Sequence, residues 1–335
     1  MEFENLTWRR SKVRLPYLWL MAAILVFIWI GVQRSPTIKE TEAYYWKVEA
    51  ARRMFQGMET IKAAKMKNHI PINREDDPNL TGMIGPVFTE ITTTLGNLTS
   101  KRTATNPNFA AVIVEMLIRA GLKRGDLIAV AFSGSFPSLN LAALAAIETM
   151  GLEPIIISSV GASMWGATDP RMTWLDMETI LLQKGVIHYK SVSATFGGDG
   201  GVGKGMSPDG HQMTQEAILR NGVEFLSADS LVELIEREME LYHRYAGLPI
   251  KAFINVGGTA ASLGSGPLAD RIPTGLQLNL QSLGHPRRGL IFRMAETGIP
   301  VIHLLNIRSL ALQYRLPIDP IPLPQIGEGP VYFTK

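Results

Sequence analysis

Three features of the chain predict an α/β fold: a mostly parallel, Rossmann-like sheet with helices on both faces, preceded by one N-terminal transmembrane helix. Short apolar runs such as Leu127 to Phe132, each ending in a loop of small residues, read as strands buried on both faces. Helical patterns separate these runs, and strand, helix, strand at this spacing is a right-handed βαβ unit. An uncharged run of 19 residues, LPYLWLMAAILVFIWIGVQ, lies between Arg14 and Arg34. At about 1.5 Å per residue it matches a ~30 Å hydrocarbon core.

The flanks of that run orient it. Arg9, Arg10, Lys12 and Arg14 precede it, and only Arg34 and Lys39 follow closely, which puts the N-terminus in the cytoplasm and the body outside the cytoplasmic membrane. Tyr17, Trp19 and Trp29 suit the interfaces. A cleaved signal peptide is the competing reading, but the run is long for one and GVQRSPTIKE is a poor cleavage site. The expected organisation is a cytoplasmic basic segment (1–14), an anchor (15–33), a juxtamembrane helix (34–70) and an extracytoplasmic body (71–335).

The chain has 335 residues, ample for a sizeable core, and no cysteine, which excludes disulfides, thiolate metal sites and a cysteine nucleophile. Its net charge of +3 resides in the first 34 residues, which hold five Lys/Arg against two acids; the rest carries 28 of each. The body therefore has no global basic field and no nucleic-acid partner is expected.

In order along the chain, residues 39–67 read as a helix with Tyr44, Val48, Ala51, Phe55, Met58 and Ile61 on one stripe. A helix carrying Phe88, Ile91 and Leu95 is expected over 83–100. Asn106-Pro107-Asn108 starts another that stops at Gly121. The strand at Leu127 turns through Ser133-Gly134-Ser135 into a helix from about Ser138 to Met150, stopped by Gly151. Pro154 to Ser158 forms the next strand, leaving through Ser159-Val-Gly-Ala-Ser163 towards Trp165 and Asp169. A helix over Thr173–Lys184, a strand over Ile187–Phe196, and helices capped by Ser207 and by the Ser230/Glu233 box follow. Lys251 to Val256 is a buried strand whose exit loop starts at Gly257. A helix from Arg288 to Thr297, a strand over 298–305, a helix to Arg315 and a proline-rich strap complete the chain.

Three small-residue loops at strand ends converge on one crevice, since ligands in such sheets bind beyond the carboxyl ends of the strands. The Ser133-Gly134-Ser135 corner is open to three readings. Ser133 or Ser135 is a nucleophile, with Lys204 or one of His188, His211, His285 and His303 as base. Or its backbone N–H groups and hydroxyls bind a carboxylate. Or it is a turn needed for close packing. Gly134, Asn140, Ser159, Gly161, Ser163, Trp165, Asp169, Asn255, Gly257, Gly258 and Thr259 are the candidate ligand-binding residues. Asp169, Asp176 and Glu178 orient a base, bind a cation or cap the helix at Thr173, and Arg287 and Arg288 add positive charge or are simply solvated. The stretch Gly198-Asp-Gly200-Gly-Val-Gly203 matches GxGxxG, but Met206-Ser207-Pro208 separates it from the next helix, which weakens a nucleotide reading. A lid bringing Lys204 to an anion, or a plain loop, remains. The histidines show no ligand spacing, so neither a metal nor a cofactor is expected.

The strings AFSGSFPSLNLAALAAIETMGLEPIIISSVGASMWGATDP, TWLDMETIL and INVGGTAASLG resemble the family of poly-gamma-glutamate system proteins. The resemblance covers the anchor and nearly all of the body. It implies a membrane-anchored accessory of poly-γ-glutamate synthesis, export or processing, for capsule or released polymer, with the polymer and the synthase subunits as partners. It assigns no catalytic residue. Two classes stay open: a body that binds polymer carboxylates or the synthase, and a serine-dependent hydrolase or transferase acting on the γ-glutamyl amide. A cytoplasmic nucleotide-dependent enzyme is the distant third.

Overall fold

The computed structural model describes residues 14–34, 39–265, 272–280 and 288–334. The basic segment before Arg14, His285 and Arg287 lie outside the described residues. The N-terminal unit contains helix α1 (Leu15–Arg34). Its side chains from Leu15 to Trp29 are exposed, among them Leu15, Trp19, Phe27 and Trp29. Over the described residues, no helix is long and apolar enough to cross a membrane.

The body spans Glu40–Phe333. After the two-residue strand β1 (Lys39–Glu40) come α2 (Tyr44–Lys67), β2 (Thr92–Thr94), α3 (Leu98–Ala104) and α4 (Asn108–Arg119). The central unit is β3 (Leu127–Ser133), α5 (Pro137–Met150) and β4 (Glu153–Ser159), followed by the short β5 (Ala162–Ser163). Then follow α6 (Trp174–Gln183), β6 (Ser193–Thr195), α7 (Pro208–Arg220), β7 (Glu224–Phe225), α8 (Leu231–Tyr245), β8 (Ala252–Val256) and α9 (Ala260–Leu263). The last elements are β9 (Gly275–Gln277), α10 (Leu290–Ala295), β10 (Val301–Leu304), α11 (Ile307–Gln313) and β11 (Phe333–Thr334).

Seven strands form one sheet in the order β7-β6-β4-β3-β8-β10-β9, parallel except for the edge strand β9. From β3 the chain first moves outward through β4 and β6, then returns to the other side through β8 and β10. The order therefore reverses between β3 and β8, the position where doubly wound sheets open a crevice. Alternation along the strands builds two cores. Ile128, Val130, Phe132, Ile156, Ile254 and Ile302 face α2, α4, α5 and α6, whereas Leu127, Ala129, Ala131, Ile155, Ile157 and Phe253 face α8 and α10. Apolar residues on both faces explain why these strands read as continuous hydrophobic runs. Helix α5 is buried nearly all round, with Pro137 in its first turn and Gly151 closing it in the left-handed region (φ 65°).

Two expectations are corrected. Residues 83–97 do not form a helix: Thr92–Thr94 is strand β2, paired in parallel with β5, and α3 starts only at Leu98. The β-branched run in TEITTT disfavours helix, and Asn97 supplies a cap by accepting the Ser100 N–H at 2.8 Å. Phe88 and Leu95 are exposed, and only Ile91 of that predicted stripe is buried. Helix α2, read from the sequence over 39–67, packs on α4 and α5 through Val48, Ala51, Met54, Met58 and Ile61. The strand expected over 187–196 shortens to Ser193–Thr195.

The strap of residues 316–332 ties early elements together. Lys47, buried on α2, pairs with Glu115 at 2.7 Å and donates to the Val331 carbonyl at 2.7 Å. Tyr332 Oη donates to Asn108 Oδ1 at 2.6 Å, and Asn79 Nδ2 donates to the Pro320 carbonyl at 2.8 Å. Asp319 pairs with Arg102 at 2.5 Å.

Candidate functional site

A cleft of about 480 Å³ opens beyond the carboxyl ends of β3 and β8. Its walls include Ser135 and Phe136 from the β3–α5 corner, Ser163 from β5, Gly258 after β8, Asn306 after β10, and Thr94, Asn97, Ser100 and Lys101 from β2 and α3. A larger groove of about 640 Å³ runs over α2 and α6, but Gln56, Glu59, Lys67 and Lys184 line it, all at least partly solvated. The smaller cleft holds the perturbed chemistry.

The β3 and β4 exit loops are held at contact distance. Gly134 N–H donates to the Ser159 carbonyl at 2.8 Å, and a Cβ on Gly134 would lie 2.4 Å from the Val160 oxygen, so only glycine fits. Ser163 N–H then reaches Ser135 Oγ at 3.0 Å. Across this junction lies Lys101, 2% exposed. Its Nζ donates to Ser163 Oγ at 2.7 Å and to the Ser135 carbonyl, and sits 4.1 Å from the centre of the Phe136 ring. The groups facing it from β3–α5 and from β5 are uncharged, and among the described residues it has no carboxylate partner. Burial alone lowers its pKa to about 7. An amine poised between ammonium and free base, one bond from a serine hydroxyl and open to a cleft, is a functional-site signature.

Sequence reasoning reached Ser135, Ser163 and Gly258 and missed Lys101. Its helix was misplaced, and one lysine among many carries no spacing signal. The other candidates lie elsewhere. Ser133 is buried below the corner, its Oγ accepting the Ser135 N–H at 3.2 Å, with Gly257 packed against its Cβ. Asn140 donates from Nδ2 to the Ser133 carbonyl at 2.9 Å and so braces the corner. Gly161 gives room for Met206, Phe196 and Thr93. Trp165 adopts φ 59° and bonds to Pro86, outside the cleft lining. Asp169 is held by Arg171 at 2.7 Å, which with the nearby Lys65 keeps its carboxyl below the usual range although burial opposes this. Asp176 joins the Thr173 cap and pairs with Arg220.

Among the described residues, the bases named with the serines do not line the cleft. Lys204 is exposed in the Gly-rich loop, which folds on itself: Gly203 N–H donates to the Gly197 carbonyl at 2.8 Å. The following helix begins at Pro208, three residues beyond Gly205, and its His211 ring lies against Gly203. His188 binds Glu148, His211 stacks edge-on against Phe196, and Arg288 pairs with Glu296. His303 is buried, its Nδ1 2.9 Å from Asn255 Nδ2, and burial lowers its pKa to about 4. That pair bridges β8 and β10 in the core.

On the opposite face a void of about 10 Å³ lies between Ser159, Thr195, Thr259 and Glu238. Ser159 Oγ is buried there without a partner, and Thr259 caps α9. Burial alone raises the Glu238 carboxyl to about 8. The folded chain therefore binds a proton that the unfolded chain releases near 4.5, and stability present below that pH is lost as pH rises through about 8. Glu238→Gln is expected to match the parent near pH 4.5 and to melt at least about 4 °C higher near pH 8.5. Equal melting at both pH values would show that the carboxyl ionises freely.

No protein-family model, curated protein or solved structure matches the chain.

Proposed function

We propose that the chain is a component of poly-γ-glutamate synthesis, export or processing, held at the cytoplasmic membrane through its N-terminal apolar run with its body outside. In this reading the Lys101 cleft receives a carboxylate of the polymer. The observation that carries it is Lys101 itself: a buried amine with no carboxylate partner among the described residues, beside an open cleft. An uncompensated buried cation is costly, and an anionic ligand removes that cost while raising the amine's pKa. The strings that carry the family resemblance support the same place, since AFSGSF, SSVGAS and INVGG form the ends of β3, β4 and β8 around the cleft. The exposed apolar side chains along α1 support the anchor, because water gives such a surface no reward.

The test uses the full chain reconstituted into phospholipid vesicles, with fluorescent poly-γ-glutamate as probe. Binding is expected to weaken with salt and to be stronger near pH 6 than near pH 8.5, because the ammonium form holds the carboxylate. Lys101→Met is expected to lose at least about tenfold in affinity. A chain that stays out of the vesicles removes the anchor. Equal affinity in parent and variant removes the cleft as the polymer site.

A further inference from the structure

The same cleft holds the parts of an acyl-transfer centre, with Ser163 rather than Ser133 or Ser135 beside the amine, and with Lys101 in the place expected for Lys204 or a histidine. Lys101 Nζ lies 2.7 Å from Ser163 Oγ, the separation at which a proton passes directly between them. Ser135 supports both partners: its carbonyl accepts from Lys101, and its Oγ accepts the Ser163 N–H at 3.0 Å. Each half of the pair is therefore anchored to one residue of the β3–α5 corner. Phe136 and the loop backbone close the amine from bulk water, and the cleft is large enough for a glutamyl unit with its amide. Ser133, by contrast, is sealed beneath the corner.

We propose that Ser163 is a nucleophile and Lys101 its general base for cleavage or transfer of a γ-glutamyl amide, with Ser135 as the positioning residue. This rests on the reading that the cleft takes the polymer. In the first step Ser163 Oγ attacks the amide carbonyl carbon while its proton passes to Lys101 Nζ. The tetrahedral adduct collapses with cleavage of the C–N bond, and Lys101 returns the proton to the departing amine. The ester on Ser163 is then attacked by water, or by an acceptor amine for transfer. That nucleophile's proton goes to Lys101 and on to Ser163 Oγ as the acid or new amide leaves. Atoms and charge balance with water or an amine as the sole co-reactant, and no oxidation occurs.

Catalysis needs the free amine, whereas carboxylate binding needs the ammonium. The two roles therefore have opposite pH trends around the value of about 7 that burial sets for Lys101. This separates failure of one from failure of the other.

The experiment uses the full chain in vesicles with poly-γ-glutamate, following free amines and chain length. In parallel, a serine-directed fluorophosphonate is mapped by mass spectrometry. Labelling of Ser163 in the absence of polymer is expected to rise with pH through about 7, and amine release to rise at higher pH, while binding falls. Ser163→Ala is expected to lose at least about 10³-fold in release, far more than any loss of polymer binding. Lys101→Arg keeps the charge but cannot act as a base, so it is expected to lose release and labelling while its remaining binding no longer falls between about pH 6 and 8.5. Ser135→Ala is expected to reduce labelling and flatten its pH profile. A parent chain that binds polymer but neither releases amine nor labels at Ser163 overturns the catalytic proposal and leaves the binding site standing. Undiminished release in Ser163→Ala overturns the assignment of the nucleophile. A parent chain that does not bind polymer at either pH fails the underlying reading, and with it this substrate.

Discussion

Replacing Trp174 by alanine is expected to lower the stability of the body by about 3–5 kcal/mol, the range for removing a large aromatic from a closed core. The ring is fully buried and meets Phe132 of β3 edge-on, with centroids 5.7 Å apart. Its Nε1–H donates to Glu178 Oε1 at 3.0 Å. The Glu178 carboxylate also accepts the Ser191 N–H at 3.1 Å and the Ser191 hydroxyl at 3.0 Å, and Ser191 in turn meets Ser158 of β4 at 2.7 Å. Trp174 thus contributes both packing volume and one of the few donors that make a buried carboxyl tolerable. Burial pushes that carboxyl up to about 7, against the pull of the Ser191 and Trp174 bonds. Trp174→Phe separates the contributions: it keeps most of the ring and loses the donor, for a cost of about 1–3 kcal/mol. Denaturant midpoints of parent, alanine and phenylalanine chains measure this ordering. A loss below about 1 kcal/mol for the alanine variant would mean that the α6 contact with β3 is dispensable.

Gly134→Ala is expected to cost about 1–3 kcal/mol or more, although it adds one methyl group. The new Cβ would stand 2.4 Å from the Val160 oxygen and 3.4 Å from the Ala162 Cβ. Both neighbours belong to the β4 exit loop, so that loop must retreat. Gly134 also accepts the Ala167 N–H at 2.7 Å, which fastens the same loop further on. Retreat separates Ser135 from Ser163, and polymer binding is expected to fall by at least about tenfold along with stability. Gly247→Ala is the control: no atom lies within 4 Å of a Cβ there, and its effect is expected to stay within about 0.5 kcal/mol. Equal melting and binding for the Gly134 variant and the control would show that the loops do not depend on their contact.

The parts of this arrangement that could be read in the sequence are those fixed by local chemistry. Leu127 to Phe132 and Ala252 to Val256 announce themselves because strands covered on both faces leave no polar alternation. Ser207 before Pro208, and Ser230 before Glu233, mark helix starts through hydrogen bonds spanning three residues. What escaped depends on distant pairing. Thr92–Thr94 becomes a strand only because Ala162–Ser163 offers it an edge, and β9 takes its place beside β10 although α10 separates the two in sequence. Lys101 escaped for the same reason: its neighbours Ser135 and Ser163 come from residues far along the chain. The corner serines were visible as small residues at a strand end, but nothing local distinguishes Ser133, sealed by Gly257, from Ser135, which lines the cleft.

The strap carries a consequence for biosynthesis. Lys47 is placed in α2, among the first body residues to leave the ribosome, yet one of its acceptors is the carbonyl of Val331, and Asn108 likewise relies on Tyr332. At about 5–20 residues per second, a growing chain spends many seconds with those polar groups incompletely matched. The body is therefore finished late rather than domain-half by domain-half, and a nascent chain whose strap has not emerged presents an open α2–α4 seam to chaperones and proteases. If the body crosses the cytoplasmic membrane, that delay suits passage in an unfolded form, with the final latch closing on the far side.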